Sequence, residues 1–367
     1  MTNKKKIFFL LFSMNVGGVE KSLLGLLSTF DKEKYDIHIG LLQKQGGFLS
    51  FLPEGVVIHQ CFQDIWAIVN LPPVITIKTF LKQGRIIEAI VHFYCYVVFK
   101  ITGDRTLFYK YVLRNEPAIE MIFDEAHAYA GPASMLDFYI CRKIKAHKRF
   151  GWIHFDILKN GIDKVMSYRF FREYERIYAV SEAAKKNFDA EFPQFAHKTE
   201  VRYNIVPAEE IRLLAAKAPT FDDGFTGVRI LTVGRLSWEK GQDITIETLK
   251  ILVERGYDVK WYYVGEGKLK STCERLAGKY GLADRVVFLG MLTNPYGYMH
   301  DCDIYVQPSR HEGYCITLAE ARCFTAPIIA TNFVGAEEQL KTHQQNVVTD
   351  ITANGIAEGI MLFVKFI

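Results

Sequence analysis

Two glutamates lie eight residues apart in the last quarter of the chain. Glu312 and Glu320 belong to the stretch QPSRHEGYCITLAEA, which follows a short apolar segment at residues 303–306. If the residues between them are helical, a rise of 1.5 Å per residue separates the two carboxylates by roughly 12 Å. Glycosidases hold their paired carboxylates about 5 to 9.5 Å apart. The spacing therefore favours two contacts along a long, thin ligand over two groups that act on one bond.

Two basic residues flank the start of a predicted helix in the same half of the chain. Arg235 and Lys240 stand in the segment GRLSWEKG, between a predicted strand at residues 228–234 and a helix from Gln242. The first N–H groups of a helix have no partner within the helix, and they attract anions. Two cations beside such amides predict a pocket for a diphosphate.

Two features of the first half could also contribute to a site. Gly17 and Gly18 follow the first predicted strand (residues 6–12) and precede a helix, so backbone N–H groups there form a candidate anion site. The segment GGVEKS is neither a Walker A loop nor a G-x-G-x-x-G fingerprint, so no motif supports dinucleotide binding. His154 ends the apolar segment 149–156, at the strand tip where ligands of open α/β sheets gather. A purely structural turn and a structural histidine remain the alternatives.

The composition is that of a globular chain with two domains. Its 367 residues are 49% hydrophobic and exceed the size of an ordinary single core. Residues 1–205 hold 28 Lys and Arg against 21 Asp and Glu, while the remaining residues hold 17 against 20. This moderate asymmetry argues against a nucleic-acid-binding protein. It does permit the first half to lie on an anionic membrane face.

The scattered cysteines and the shortness of the apolar segments predict a cytoplasmic protein. The seven cysteines are scattered without a CxxC pair, which predicts buried thiols rather than a zinc site or a disulfide framework. The amino-terminal segment MTNKKKIFFLLFSM resembles a signal peptide but has too short an apolar run and no cleavage site, so we expect a first strand. The most membrane-like stretch, residues 86–101, is interrupted by Glu88, His92 and Lys100 and is too short to span.

Strand and helix patterns alternate along both halves. In the first half we expect strands at residues 35–42, 56–59, 119–123, 176–180 and 201–205, with a helix capped by Ser181 and two or three amphipathic helices between residues 62 and 115. In the second half we expect strands at residues 258–264, 285–289, 303–306 and 327–331. Gly265 and Gly290 stand at the ends of two of them. The expected architecture is α/β: a domain at 1–205, a linker at 206–226 rich in Pro and Asp, and a domain at 227–367.

Four segments together resemble retaining glycosyltransferases of the GT-B fold, most closely glycosyltransferase family 4 within the group 1 enzymes. These segments are GGVEKS, GWIHFD, GRLSWEKG and HEGYCITLAEA, the last carrying the E-x7-E pattern. The resemblance implies two Rossmann-like domains that face an interdomain cleft. It also implies transfer of a hexose-type sugar from a nucleoside-diphosphate donor to an acceptor hydroxyl, without a metal or cofactor, in bacterial surface polysaccharide or glycolipid synthesis. The implied partners are the donor, a sugar or lipid-linked acceptor, and the inner membrane face; nucleic acid is not expected.

The resemblance also assigns roles to individual residues. It implies that Glu312 meets the donor sugar, that Glu320 binds the ribose, and that Arg235 and Lys240 hold the diphosphate and stabilise its charge as it leaves. His154 would line the sugar pocket and support the reacting centre. The residues implied to contact the donor are Gly17, Gly18, Gly234, Arg235, Lys240, Gly265, Gly290, Glu312, Gly313 and Glu320.

Two alternatives stay open at this point. One is a nucleotide-sugar epimerase of the same fold, and the other is an inactive GT-B subunit that stabilises an active partner. The second alternative arises because the resembled enzymes carry further helices after the position of Ile367, so we expect a short carboxyl end with Leu362, Phe363 and Phe366 exposed. The donor sugar, its nucleotide and the acceptor are not encoded in any pattern of this sequence.

Overall fold

The computed structural model describes residues 4–61, 71–116 and 119–364. The chain divides into two units, Met1–Tyr203 and Asn204–Ile367. The segment predicted as a linker, residues 206–226, contains the helix Ala208–Ala215. Ile211 and Ala215 of this helix are buried in a hydrophobic core of the second unit, so these residues are part of that unit.

A parallel sheet runs through the first unit. In the described residues its strands follow the order β3-β2-β1-β4-β5-β6-β7. Strand β1 is buried over its last five residues, as expected for a strand covered on both faces, which confirms the first predicted strand. The strands are β1 (Lys5–Leu11), β2 (Tyr35–Leu41), β3 (Val57–Gln60), β4 (Ile122–Ala128), β5 (Lys145–Ile153), β6 (Arg176–Ala179) and β7 (Thr199–Val201).

Helices connect these strands, and one core packs Phe8 and Phe123 of the sheet against Leu136 and Phe170 of two of them. The Ser181 side chain accepts a hydrogen bond from the backbone N–H of Ala184, which confirms the predicted cap. The α-helices of this unit are Gly18–Leu27, Pro73–Lys82, Ile86–Thr102, Thr106–Val112, Ser134–Arg142, Ile157–Asn160, Lys164–Phe171 and Glu182–Glu191. The three helices from Pro73 to Val112 lie where amphipathic helices were predicted, while residues 62–70 of that prediction lie outside the described residues.

Two predicted strands of the first unit are wrong in position. The strand predicted at residues 119–123 is β4, which begins at Ile122 and continues through two acidic residues. These acids are accommodated because Asp124 accepts a hydrogen bond from the Lys6 backbone (2.8 Å) and Glu125 pairs with Lys5 (2.8 Å). The strand predicted at residues 201–205 is β7, which ends at Val201; the guanidinium of the next residue, Arg202, lies over the ring of Tyr178.

The second unit is built on another parallel sheet, with the order β10-β9-β8-β11-β12-β13 among the described residues. Its strands are β8 (Val228–Val233), β9 (Val259–Val264), β10 (Val286–Gly290), β11 (Ile304–Gln307), β12 (Ile328–Thr331) and β13 (Asn346–Thr349). Strand β13 was not predicted. The α-helices that cover the two faces are Ala208–Ala215, Gln242–Glu254, Lys270–Lys279, Tyr296–Asp301, Ile316–Ala321, Ala336–Leu340 and Ala353–Val364. Each unit is therefore a doubly wound, Rossmann-like α/β domain, as predicted.

Both strand orders reverse direction at one point, between β1 and β4 in the first unit and between β8 and β11 in the second. In open α/β sheets, the loops that follow the strands on either side of such a point diverge and leave a crevice for ligands. The segments after β1, β4, β8 and β11 are therefore the places to look for a site in each unit.

Within the described ranges, no helix combines the length and the apolar character needed to cross a membrane. All seven cysteines are free, and Cys323 is the one that is partly exposed. Near the carboxyl end, Leu362 is exposed and Phe363 packs partly against the core; Phe366 lies outside the described residues.

Candidate active site

An ion pair joins the two loops at the switch point of the second unit. Lys240 lies in the loop after β8, and Glu312 lies in the loop after β11. The Lys240 Nζ atom is 2.5 Å from Glu312 Oε1, and the Ser309 hydroxyl donates to the same oxygen at 2.7 Å. The Glu312 side chain is only 9% exposed. Both of these contacts are made to Oε1, which leaves Oε2 as the oxygen to consider for a ligand hydroxyl.

The lysine of this pair is held in its charged form. Burial lowers the pKa of Lys240, but the Glu312 carboxylate raises it by more, so the net pKa lies above its ordinary value despite the repulsion from Arg235. Arg235 is exposed, and it forms no ion pair with any residue in the described part of the chain. The loop thus presents one cation that is paired with a carboxylate and one exposed cation; that the two hold a diphosphate stays a prediction.

A chain of hydrogen bonds from the sheet fixes the position of Glu312. The Tyr305 hydroxyl donates to Gln307 Oε1 (2.9 Å), and Gln307 Nε2 donates to Ser309 Oγ (2.9 Å). Ser309 is also held through its carbonyl, which accepts from Thr331 Oγ1 at 2.5 Å. Gln307 and Ser309 were not predicted as site residues. The run of polar residues directly after an apolar strand and before Glu312 is the sequence feature that could have indicated them.

The loops after β8 and β11 lie directly against each other. Gly241 has a φ of +73°, and a Cβ atom there would stand 2.0 Å from the carbonyl oxygen of Pro308. Arg310 forms a bidentate pair with Asp243 (2.8 and 2.7 Å) and donates to the Trp238 carbonyl (2.6 Å). Because Arg310 neutralises the acid in the first turn of the helix Gln242–Glu254, Asp243 repels an anion at that helix start less strongly.

The glycine turn after β9 packs on the same loop. Gly265 donates its N–H to the carbonyl of Gly290 (2.7 Å), and a Cβ atom at Gly265 would stand 2.0 Å from the carbonyl oxygen of Gly234. The structure therefore brings Gly234, Gly265 and Gly290 together at the ends of neighbouring strands. The space beside Gly265 is filled by protein backbone, so close packing of two loops accounts for this glycine without a ligand.

This packing leads to a stability prediction. Gly265→Ala is expected to lower the free energy of unfolding by about 2 to 3 kcal/mol, because the methyl group meets a carbonyl oxygen and φ is +140°. The matched control is Gly278→Ala, at a helical glycine with nothing within 4 Å of the added Cβ. That variant should be more stable by about 0.5 to 1 kcal/mol. Urea unfolding of both variants measures the difference, and equal effects would contradict the packing account.

The second glutamate of the motif, Glu320, lies in the helix that follows the loop. The helix covers only Ile316–Ala321, so Glu312 precedes it, and the separation of roughly 12 Å expected from helical rise does not apply. Glu320 is 2% exposed and accepts a hydrogen bond from the Tyr296 hydroxyl at 2.9 Å. Burial, together with the Glu320 carboxylate, raises the pKa of Tyr296 well above its usual range. Gly313, next to Glu312, is buried in the same loop.

The glycine pair of the first unit lies at the start of the helix Gly18–Leu27. A Cβ atom at Gly18 would meet no atom within 4 Å, whereas one at Gly17 would stand 2.5 Å from a carboxylate oxygen of Glu20. The acid in the first turn competes with any anion at this helix start. The phosphate contact of Gly17 and Gly18 stays a prediction, and the geometry supports it less well than it supports the cations of the second unit.

His154 directly follows β5, at the predicted strand tip. Its ring stacks on Trp152 (centroids 5.6 Å apart) and lies 4.8 Å from the ring of Tyr129. Burial lowers the pKa of His154 to about 3, although a hydrogen bond with the Tyr129 carbonyl opposes this shift, so the imidazole is neutral at physiological pH. Its buried Nε2 atom has no hydrogen-bond partner among the described residues. A neutral imidazole with one unused nitrogen can contact a ligand without adding charge.

Tyr129 is a residue of this unit that the sequence analysis missed. It follows β4 at the switch point, and its hydroxyl is 2.6 Å from the Ser22 hydroxyl of the helix Gly18–Leu27. The strand predicted at residues 119–123 ended before Tyr129, whereas β4 runs to Ala128, so the place of Tyr129 directly after a strand was not predicted. In the described ranges no group of three or more His, Cys, Asp or Glu side chains is placed to hold a metal ion.

A family comparison bears on the second unit. Residues 226–365 match the model described as "Glycosyl transferases group 1". The matched segment contains Arg235, Lys240, Glu312 and Glu320, and it covers less than half of the chain.

Relatives that match part of the chain include proteins named as glycosyltransferases. The chain is 26% identical over 190 residues to "Uncharacterized glycosyltransferase MJ1059" of Methanocaldococcus jannaschii, covering 50% of this chain and 46% of the relative. It is 30% identical over 143 residues to a Campylobacter jejuni enzyme named N-acetylgalactosamine-N,N'-diacetylbacillosaminyl-diphospho-undecaprenol 4-alpha-N-acetylgalactosaminyltransferase, covering 39% of this chain and 37% of the relative. The chain thus matches less than half the length of each of these relatives.

Solved structures extend the likeness over both units. The structure described as Anabaena Alr3699/HepE in complex with UDP and glucose superposes with a TM-score of 0.67 at 18% identity, covering 99% of this chain and 90% of that one. At this level of identity the likeness concerns the fold. The chain has the GT-B fold, which confirms the predicted fold class.

Proposed function

We propose that this chain is a retaining glycosyltransferase of family 4 that transfers a hexose-type sugar from a nucleoside-diphosphate donor to an acceptor hydroxyl. The observation that carries the proposal is the Lys240–Glu312 pair beside Arg235, at the switch point of the unit that matches the group 1 family model. The related Campylobacter enzyme is named for transfer to a diphospho-undecaprenol-linked saccharide. We therefore place the reaction in the synthesis of a bacterial surface polysaccharide or glycolipid.

The chemistry assigned to Lys240 and Arg235 is stabilisation of the leaving group. When the bond between the sugar and the diphosphate breaks, negative charge accumulates on the diphosphate. A cation that Glu312 and burial have already fixed in place stabilises that charge without reorganising. The free amides at the start of the helix Gln242–Glu254 add to the same field. With two cations in this position the reaction needs no metal ion, and we propose that it proceeds without one.

The carboxylates and the histidine are assigned to positioning. Glu312 Oε2 is the atom that we assign to a hydroxyl of the donor sugar, because Oε1 already accepts from Lys240 and Ser309. Glu320 is assigned to the ribose, with its orientation set by the Tyr296 hydroxyl. His154 is assigned to the sugar near the reacting carbon through the resemblance, and its neutral, unused Nε2 suits a hydrogen bond there.

The comparisons favour this function over the two alternatives. The Methanocaldococcus and Campylobacter relatives are named as a glycosyltransferase and as a sugar transferase, which favours transfer over epimerisation. An inactive subunit has no need of a fixed cation–carboxylate pair, whereas Lys240 and Glu312 are both present here and in contact. Burying such a pair costs free energy, because each charge loses part of its hydration, and a role in transfer gives a reason for that cost.

The test is binding of nucleoside diphosphates, monitored as thermal stabilisation. A ligand at 100 times its dissociation constant stabilises the folded state by about 2.7 kcal/mol. Arg235→Ala should weaken binding of a nucleoside diphosphate roughly tenfold or more and leave binding of the free nucleoside unchanged, because the lost contact is a charge-assisted one to phosphate. The control is Arg275→Ala, an exposed arginine on the helix Lys270–Lys279. If no nucleoside diphosphate stabilises the protein, or if both variants respond like the wild type, the assignment fails.

A further inference from the structure

Two helices of the first unit form a hairpin with an unusual surface. The helices Pro73–Lys82 and Ile86–Thr102 pack through the edge-to-face contact of Phe80 and His92, whose ring centroids are 5.9 Å apart. The face of the second helix that packs inward carries Ala89, His92 and Cys95, which are buried at a spacing of three residues. Through His92 this buried face also contacts Phe108 of the helix Thr106–Val112, whose ring centroid is 5.3 Å away.

The opposite face of the second helix is apolar as well. Ile86, Ile87, Ile90, Phe93, Tyr94 and Ile101 are 56–79% exposed. Their spacing of three, four and seven residues puts them along one side of the helix. On the first helix Val74, Ile75 and Leu81 are also about half exposed. Single exposed apolar residues are ordinary, but a continuous stripe of this kind marks a surface that meets another apolar phase.

Basic side chains border this apolar stripe. The hairpin from Pro73 to Thr102 contains Lys78, Lys82, Arg85 and Lys100 against one acid, Glu88, which pairs with Arg85 at 3.1 Å. Lys78, Lys82 and Lys100 are exposed and form no ion pair with any of the residues that the structure describes. A partner that matches this surface therefore has an apolar interior, which the apolar side chains contact, and anionic groups at its surface, which the basic side chains contact.

We propose that the hairpin is a membrane-docking surface that inserts its apolar stripe shallowly into the headgroup region of an anionic bilayer. Since no described helix is suited to cross a membrane, the helix lies in the surface plane, with its basic side chains among the lipid phosphates. A second copy of the chain is a poorer match, because a symmetric pair would set the same cations of the two copies against each other. The docking surface itself is inferred independently of the proposed function. Only the purpose that we give it, bringing the protein to a lipid-linked acceptor, rests on that function.

The experiment is co-sedimentation of the whole chain with vesicles. The wild type should bind vesicles of equal parts phosphatidylcholine and phosphatidylglycerol, bind pure phosphatidylcholine much more weakly, and bind less as salt is raised. The double variant Ile87→Asp/Ile90→Asp should lower the partition coefficient about a hundredfold, as expected for two large apolar side chains. Lys78→Glu/Lys82→Glu should lower it roughly twentyfold or more and reduce the preference for anionic lipid. The matched control is Leu213→Asp, which replaces a residue that is 68% exposed on a helix of the second unit and should bind like the wild type.

Three results would overturn the inference. They are absence of binding to anionic vesicles by the wild type, unchanged binding by Ile87→Asp/Ile90→Asp, and a wild-type dimer in sedimentation equilibrium that this variant dissociates. Because these residues are exposed, the variants should keep the wild-type melting temperature. Thermal stabilisation by a nucleoside diphosphate, measured on the same samples, reports separately on the proposed function. If the protein binds vesicles but no nucleoside diphosphate stabilises it, the proposed function is wrong and the inferred docking surface is still supported.

Discussion

Replacing Lys240 with alanine is expected to lower kcat for sugar transfer roughly a thousandfold, the upper part of the range for loss of one preorganised charge-stabilising group. The lysine is the cation that Glu312 holds in place, and Ser309 donates to the same carboxylate oxygen, so the charge is positioned in advance of bond breaking. Affinity for the intact donor should fall less than kcat does, because the leaving diphosphate carries more charge than the bound one. Steady-state kinetics of nucleotide release with a competent acceptor measures both quantities.

The control for this variant is Lys250→Ala. Lys250 lies on the helix that follows the same loop, and it forms an exposed pair with Glu254. Such pairs contribute little to stability, so the control should be as active and as stable as the wild type. A Lys240→Ala enzyme that keeps its kcat within about a factor of three of the wild type would refute the role given to this residue.

Replacing Glu312 with glutamine is expected to have the second-largest effect, a decrease in kcat of roughly a hundredfold or more. The neutral amide keeps the shape of the side chain but removes the charge that fixes Lys240 and orients the sugar. The variant should also change the dependence on pH. Glu312 raises the pKa of Lys240 while burial lowers it, so without the carboxylate the folded-state pKa falls. The basic limb of the pH–rate profile should therefore move to lower pH.

The pH profile distinguishes a direct role from general damage. Glu254→Gln, on the exposed surface of the helix Gln242–Glu254, serves as the control and should show the wild-type profile. The contradicting outcome is a Glu312→Gln enzyme that loses kcat and yet keeps the basic limb of its pH–rate profile at the wild-type pH. That result would mean that the ionisation of Lys240, which Glu312 influences, does not control the rate.

The fold was predictable because its signals are local. Apolar runs such as Ile7–Leu11 and Trp261–Val264, punctuated by glycine turns, indicate parallel strands whatever their partners are. The position of β4 was not predictable in the same way. Its first residues include Asp124 and Glu125, and these are tolerated in a strand only because Lys5 and the Lys6 backbone lie beside them in the folded sheet.

The candidate site was predictable in its members and less so in its geometry. The motif spacing singled out Arg235, Lys240 and Glu312, and the structure brings them to one edge. It did not reveal that Lys240 and Glu312 form a pair, because these residues are 72 positions apart in the chain. Ser309 is only three positions from Glu312, but its bond to the same oxygen depends on the conformation of the loop. The burial of Glu320 was hidden for the same reason, since Tyr296 reaches it from a different helix.

The hairpin from Pro73 to Thr102 shows the opposite difficulty. Its second helix is apolar on both sides, so the sequence pattern could not say which side packs on the domain. Burial of His92 and Cys95 and exposure of Ile87 and Ile90 decide the question in the structure. That the exposed side of this helix meets a membrane stays a prediction until vesicle binding is measured.

A crystal structure of the protein with a nucleoside diphosphate tests the central claim most directly. The account predicts that the diphosphate lies within hydrogen-bond distance of Lys240 Nζ and the Arg235 guanidinium, at the start of the helix Gln242–Glu254, with Glu312 on one side of it and Glu320 on the ribose. A diphosphate bound elsewhere, with Lys240 and Glu312 still paired and away from the ligand, would contradict it.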